Sequence, residues 1–192
     1  MFNLSHMSKM CLYGKIGRLI SSFSGCNLII GSHIRKQLEF LKENIPPSFQ
    51  YREMDDLGCG DGKVTLLLKD IFLPKKLHGF DVNPNLVRRA RSKGIQAEVK
   101  NLNEEMPNGE LAVMWGVLHH LNNMEDCLKR IRENYNFIFI REPIKTSTVN
   151  LMEMGHPLGK MDIELLFEKH LPDSQILYCG NNILIFYVYR GN

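Results

Sequence analysis

The chain has 192 residues, 44% hydrophobic and 23% charged, which suits one globular domain with a sizeable core and excludes a disordered or low-complexity protein. A formal net charge of +3 is too small to argue by itself for a nucleic-acid partner, and no apolar run is long enough to span a bilayer. The charge is uneven: up to residue 38 the chain carries Lys9, Lys15, Arg18, Arg35 and Lys36 and no acid.

Residues 1–31 have weak periodicity, with Gly14, Gly17, Gly25 and Gly31 as breakers, and read as a basic N-terminal arm; an organelle transit peptide is the other reading of this acid-free, serine-containing start. Ser32 reads as a helix N-cap, because Ile34, Leu38, Leu41 and Ile45 follow on one helical face before Pro46-Pro47 stops the run. The remainder, residues 32–192, reads as a single domain with 32–46 as its leading helix. "EMDDL" reads as a strand ending at a glycine loop, and Lys63 to Ile71 as a helix. "KLHGFDV" is a second strand closing at Asp81, and Asn83-Pro84 starts a helix with a cap residue and a first-turn proline. "IQAEV" and the near-continuous apolar "ELAVMWGV" are the third and fourth strands. Asn122 or Asn123 caps a helix through Arg132, acids first and bases last, as the helix dipole favours. "FIFI" is a fifth strand, Asp162 to His170 a helix, and "SQILYC" and "ILIFYVY" form a hairpin about "GNN". Strands alternating with helices predict an α/β fold with a mostly parallel sheet that ends in an antiparallel hairpin.

The stretch "DDLGCGDGKVTLLL" carries Gly58, Gly60 and Gly62 between a strand and a helix. A dinucleotide loop needs glycine at 63, where this chain has Lys63; a P-loop needs glycine at 57 and Ser or Thr at 64, where it has Leu57 and Val64. What remains is G-x-G-x-G preceded by Asp56. Such a loop lets the backbone lie against a ligand with no Cβ in the way, and it opens a helix whose free N–H groups favour an anion. Asp81, 19 residues past Gly62, ends the second strand, where a carboxylate can accept both hydroxyl protons of a ribose.

"MDDLGCGDGKVTLLL" resembles motif I of the class I S-adenosylmethionine-dependent methyltransferases, and "LHGFDVNPNLVRRAR" resembles the family's second motif. "VKNLNEEMP", "ELAVMWGVLHHLNN" and "NFIFIREP" resemble its third-, fourth- and fifth-strand segments in order, so that the likeness covers roughly residues 50–190. The resemblance implies a Rossmann-like seven-stranded sheet with an antiparallel seventh strand, helices on both faces and S-adenosyl-L-methionine as cofactor. It places Asp56, Gly58, Cys59, Gly60, Gly62, Asp81, Val82, Asn101, Leu102 and Trp115 around that cofactor. Asn101 stands where many relatives carry Asp; its side-chain oxygen still accepts from the adenine amino group, without charge assistance. Trp115, the only tryptophan, either faces the sulfonium or packs in the core.

Cys59 reads as a small loop residue rather than a nucleophile. His119 and Glu142 are the candidate catalytic groups, Glu142 as a proton acceptor after the fifth strand or as a surface partner of Arg141; His120 reads as structural. Adjacent histidines diverge and no Cys or carboxylate has ligand spacing, so no metal site is expected. Cys11, Cys26, Cys59, Cys127 and Cys179 form no C-x-x-C pair and are odd in number, which points to a reducing, cytoplasmic setting. His156 lies in an insertion before the last helix, a region that often covers acceptor sites in this family, with a surface loop as the default reading. The expected activity is methyl transfer to a small-molecule acceptor, with a nucleic acid (tRNA) or protein acceptor second. A non-catalytic cofactor-binding partner subunit is the reading from another class, and an NAD-dependent dehydrogenase is opposed by Lys63.

Overall fold

The computed structural model describes residues 24–146 and 157–189; His156 and the arm up to residue 23 lie outside them. The chain divides at residue 43 into two units. The first contains all but the last residue of helix α1, Ser24–Asn44. It begins eight residues before Ser32, so Ser32 lies inside the helix and is not its N-cap. The apolar spacing that starts at Ile34 extends one turn back to Ile30, and a helical glycine costs only about 1 kcal/mol against alanine, so Gly25 and Gly31 do not break it. The helix stops before Pro46-Pro47, as the prolines dictate.

The second unit is an α/β sheet. Strand β1 (Glu53–Leu57) leads through the glycine loop into α2 (Lys63–Phe72), and β2 (Lys76–Asp81) leads into α3 (Pro84–Ser92). Then come β3 (Gln96–Val99), β4 (Gly109–Trp115), α4 (Met124–Asn134), β5 (Tyr135–Pro143), α5 (Lys160–His170), β6 (Gln175–Cys179) and β7 (Asn182–Val188). The seven strands lie in the order β3-β2-β1-β4-β5-β7-β6. All neighbours are parallel except β7, which runs antiparallel to both β5 and β6. The expected antiparallel hairpin strand is therefore present, and it is inserted between β5 and β6.

Burial on both faces explains the apolar runs. On one face Ala112, Met114, Ile138, Ile140, Ile183 and Ile185 meet Leu128 and Ile131 of α4 and Ile163 and Phe167 of α5. On the other, Phe139 and Phe186 meet Phe72 of α2 and Phe49, with ring centroids 5.0–5.4 Å apart. Strand β4 is buried at four successive positions, Leu111 to Met114, because adjacent residues serve opposite cores.

Helix starts follow the local chemistry. Asn83 and Asn123 cap α3 and α4, accepting from the amides of Asn85 and Asp126. Asn123 is exposed and its cap bond spans 3.0 Å. Its replacement by alanine should cost about 1 kcal/mol in urea unfolding with no change of slope; an unchanged midpoint would show that the cap adds nothing.

Candidate functional site

Parallel alignment gathers the ends of β1, β2, β3, β4 and β5 at one edge of the sheet. Strand β1 lies between β2 and β4, so the order reverses there and the loops on either side diverge, leaving a crevice beyond the strand ends. The glycine loop, Asp81, Asn101, Trp115 and Glu142 all sit at or just beyond this edge.

The three loop glycines adopt left-handed conformations, with φ of +86°, +55° and +81° at Gly58, Gly60 and Gly62. Their surroundings differ. A Cβ at Gly58 would lie 2.4 Å from a methyl of Val117, and one at Gly62 would lie 2.4 Å from Ile95 Cδ1. A Cβ at Gly60 would meet nothing within 4 Å. Gly58 and Gly62 are thus required by the protein's own packing, whereas Gly60 faces open space. The loop is tied down by the amides of Gly58 and Cys59, which donate to the Phe80 carbonyl at 2.7 and 2.9 Å. On the outer side the Lys93 ammonium binds the Asp61 carbonyl and, at 3.2 Å, its carboxylate.

Asp81 accepts from the Gly60 amide through Oδ2 at 2.9 Å and from the Asn83 amide through Oδ1 at 2.8 Å. Burial raises its pKa, and the two amides pull it back down. The acid at the end of β2 is therefore joined directly to the one loop glycine with an open face, an arrangement that leaves room for a sugar against the backbone. Val82, next along, is exposed.

Asp56 is 3% exposed, and its side chain accepts from the Thr65 hydroxyl, which donates to Oδ2 at 2.5 Å. Burial lifts its pKa to about 7; the Thr65 bond opposes the shift and the charge of Asp81 adds to it. Asp56 thus braces α2 behind the loop. Cys59 is also buried, with Val87, Ala90, Ile95 and Ala97. Burial, then the charges of Asp56 and Asp81, push its thiol up to about 12, so it stays protonated.

Beyond β3, Asn101 turns the chain: its Oδ1 accepts from Asn103 N at 3.1 Å. Leu102 is buried in the α4 core, and its carbonyl accepts from Arg130 at 2.8 Å. Trp115, half-buried, lies 6.4 Å from the Phe139 ring, with the Arg141 guanidinium 5.4 Å from its own ring centroid. Its ring therefore already carries a cation on one side and core on another.

The two catalytic candidates come together. His119 Nδ1 lies 2.5 Å from Glu142 Oε2, and both side chains are buried. Glu142 Oε1 also accepts from the amides of Val117 and Leu118, each at 2.8 Å. Glu142 is not on the surface with Arg141, which is itself buried and bonded to Asn182 in β7. The reason is the antiparallel pairing of Glu142 with Ile183, which carries the end of β5 into the middle of the sheet.

Sequence reading missed several contributors. Thr65 has a signal, a hydroxyl on the buried face of α2. Gly79 sits unremarked inside the second quoted motif, yet a Cβ there would lie 2.8 Å from the Cys59 sulfur. Val117 and Asn103 also lie in quoted segments, but their roles, including the bond from Asn122 N to Asn103 Oδ1 at 2.9 Å, are visible only in space.

A family model described as a methyltransferase domain matches residues 56–135. A magnesium protoporphyrin IX methyltransferase from Synechocystis PCC 6803 with bound SAH superposes with a TM-score of 0.66 at 12% identity, over 90% of this chain and 92% of its own. The methyltransferase domain of bacterial CtHen1 gives 0.66 at 18% identity, over 82% of this chain and 100% of its own. The complex between the Haloferax volcanii Trm112 methyltransferase activator and a putative methyltransferase contributes a match of 0.64 at 11% identity, over 88% of this chain and 96% of that chain. The chain has no significant sequence match among curated proteins.

The raised pKa of Asp56 has a definite sign. The folded state holds this proton up to about pH 7, whereas the unfolded state releases it near 3.8. Asp56 therefore withdraws stability as the pH rises from about 4 through about 7. Urea unfolding between pH 5 and 8 should show a smaller fall with pH for Asp56→Asn than for the wild type; parallel curves would rule out titration at Asp56.

Proposed function

We propose that the chain is a class I S-adenosylmethionine-dependent methyltransferase that uses this cofactor as methyl donor and transfers the methyl group to a small-molecule acceptor in the cytoplasm, a reading supported by the methyltransferase-domain match over residues 56–135 and the methyltransferase neighbours. The observation that carries the cofactor site is the pairing of Gly60 with Asp81: an open-faced glycine whose amide touches a carboxylate at a strand end. In this reading Asp81 accepts the ribose hydroxyls, the backbone from Gly58 to Gly62 supports the amino-acid and ribose parts, and Asn101 with the Leu102 backbone meets the adenine edge. Asp56 holds the start of α2 in place through Thr65, and Trp115 faces the sulfur end of the pocket. S-adenosylmethionine, when bound, supplies a methyl group activated by a positively charged sulfur. The chain's share of the chemistry is to bind, align and desolvate the two reactants, and a base is needed only where the acceptor must lose a proton.

Two observations favour a small acceptor. The net charge of +3 provides no strong grip on a polyanion. The described residues after Asn44 are taken up by the sheet, its covering helices and their connections. The cytoplasmic setting is supported by buried, unpaired Cys59 and Cys127.

Calorimetry should show binding of S-adenosylhomocysteine and none comparable of NAD. Asp81→Ala should fold and lose affinity, because each charge-assisted hydrogen bond to a ribose hydroxyl is worth about 1.5–3 kcal/mol. Normal affinity in that variant would remove the ribose role. Labelled methyl groups from S-adenosylmethionine should appear in the small-molecule fraction of a cell extract; label confined to RNA or protein would overturn the acceptor class.

A further inference from the structure

Glu142 occupies the place where a proton acceptor would be sought, yet its geometry suits another task. It is 1% exposed. Oε1 takes the amides of Val117 and Leu118 at 2.8 Å each, and Oε2 takes the His119 ring at 2.5 Å and the His119 amide at 3.4 Å. A carboxylate offers about four lone-pair positions, and here each has a polar partner. Such a group is spent on the turn it binds.

That turn reaches the glycine loop. After β4 the chain bends at Gly116, whose φ is +69° and whose amide donates to the Arg141 carbonyl at 2.7 Å. Val117 follows, and its methyl carbons would stand 2.4 and 2.8 Å from a Cβ at Gly58. Val117 therefore fills the space beside the first loop glycine. On its other side the loop is held by the amides of Gly58 and Cys59 on the Phe80 carbonyl. The loop is thus clamped between β2 and Val117, and Val117 is held by Glu142. One glycine further on, the Gly60 amide meets Asp81.

We propose that Glu142 is a positioning residue for the cofactor site: by binding the amides of residues 117–119 it presses Val117 against Gly58 and so sets the loop that carries Gly60. This rests on the methyltransferase reading above. His119 then serves as the fourth wall of the carboxylate's cage, its ring centroid 4.0 Å from that of His120.

The test measures S-adenosylhomocysteine affinity by calorimetry on the full chain, with circular dichroism to establish folding. Wild-type binding tests the methyltransferase reading; the ratios between variants test the inference. E142A and V117A should each weaken binding about tenfold or more, and the double variant should be no weaker than the poorer single within about threefold, since both break one link. E142Q should restore affinity to within about fivefold of wild type, because an amide oxygen still accepts from Val117 and Leu118 while its NH₂ donates to His119 Nδ1 in the tautomer protonated at Nε2. Unchanged affinity in V117A or in folded E142A, additive losses in the double variant, or E142Q as weak as E142A would each overturn the proposal. If E142A does not fold, V117A and E142Q decide it by the same criteria.

Discussion

The passage from β1 into α2 must turn within five residues, Gly58 to Gly62, with neighbours already in place on both sides. Val117 closes on one end of the turn and Ile95 with Ala90 on the other. Left-handed backbone costs an ordinary L-residue about 1–2 kcal/mol, and at both ends the side chain would also collide with its neighbour. Once those ends are set, the middle glycine has its amide 2.9 Å from Asp81 and nothing in front of it. The edges of the crevice follow from this one backbone course: α2 starts where the loop releases it, and β2 must end where the Asp81 carboxylate can meet the loop.

Three carboxylates are drawn into the same edge, and they find different numbers of hydrogen-bond partners. Glu142 has three backbone amides and an imidazole. Asp81 has two amides. Asp56 has one hydroxyl, and burial raises its pKa to about 7, as burial also raises that of Asp81. Strand ends at this edge meet turns whose N–H groups are free, so acids placed there find donors that the middle of the sheet cannot offer. The geometry that attracts the chain's own acids is the one that would receive an anionic or hydroxyl-rich ligand.

The C-terminal hairpin belongs to this site as much as to the core. Strand β7 pairs with β5 from Phe137 to Pro143, which buries Arg141 and Glu142 rather than leaving them on an open edge. Asn182 binds the Arg141 guanidinium, and that guanidinium lies against Trp115. A perturbation near the last strand can thus reach the end of β4 through two side chains.

The element types, the mostly parallel sheet with its terminal hairpin and the glycine loop followed by an acid at a strand end were all legible in the sequence. Periodicity, caps and glycine spacing are local, and local chemistry decides them. Ser32 shows the limit of that reading: a good cap residue lies inside α1 because the apolar pattern continues behind it. What only the tertiary structure decided is which glycine faces open space, that Cys59 points into the core and not at a ligand, and that Glu142 is enclosed with His119. Each of these depends on a residue far away in the chain, such as Val117 against Gly58, Gly79 beneath Cys59 or Ile183 beside Glu142. Contacts of that kind arise from strand order and register, which no local pattern contains.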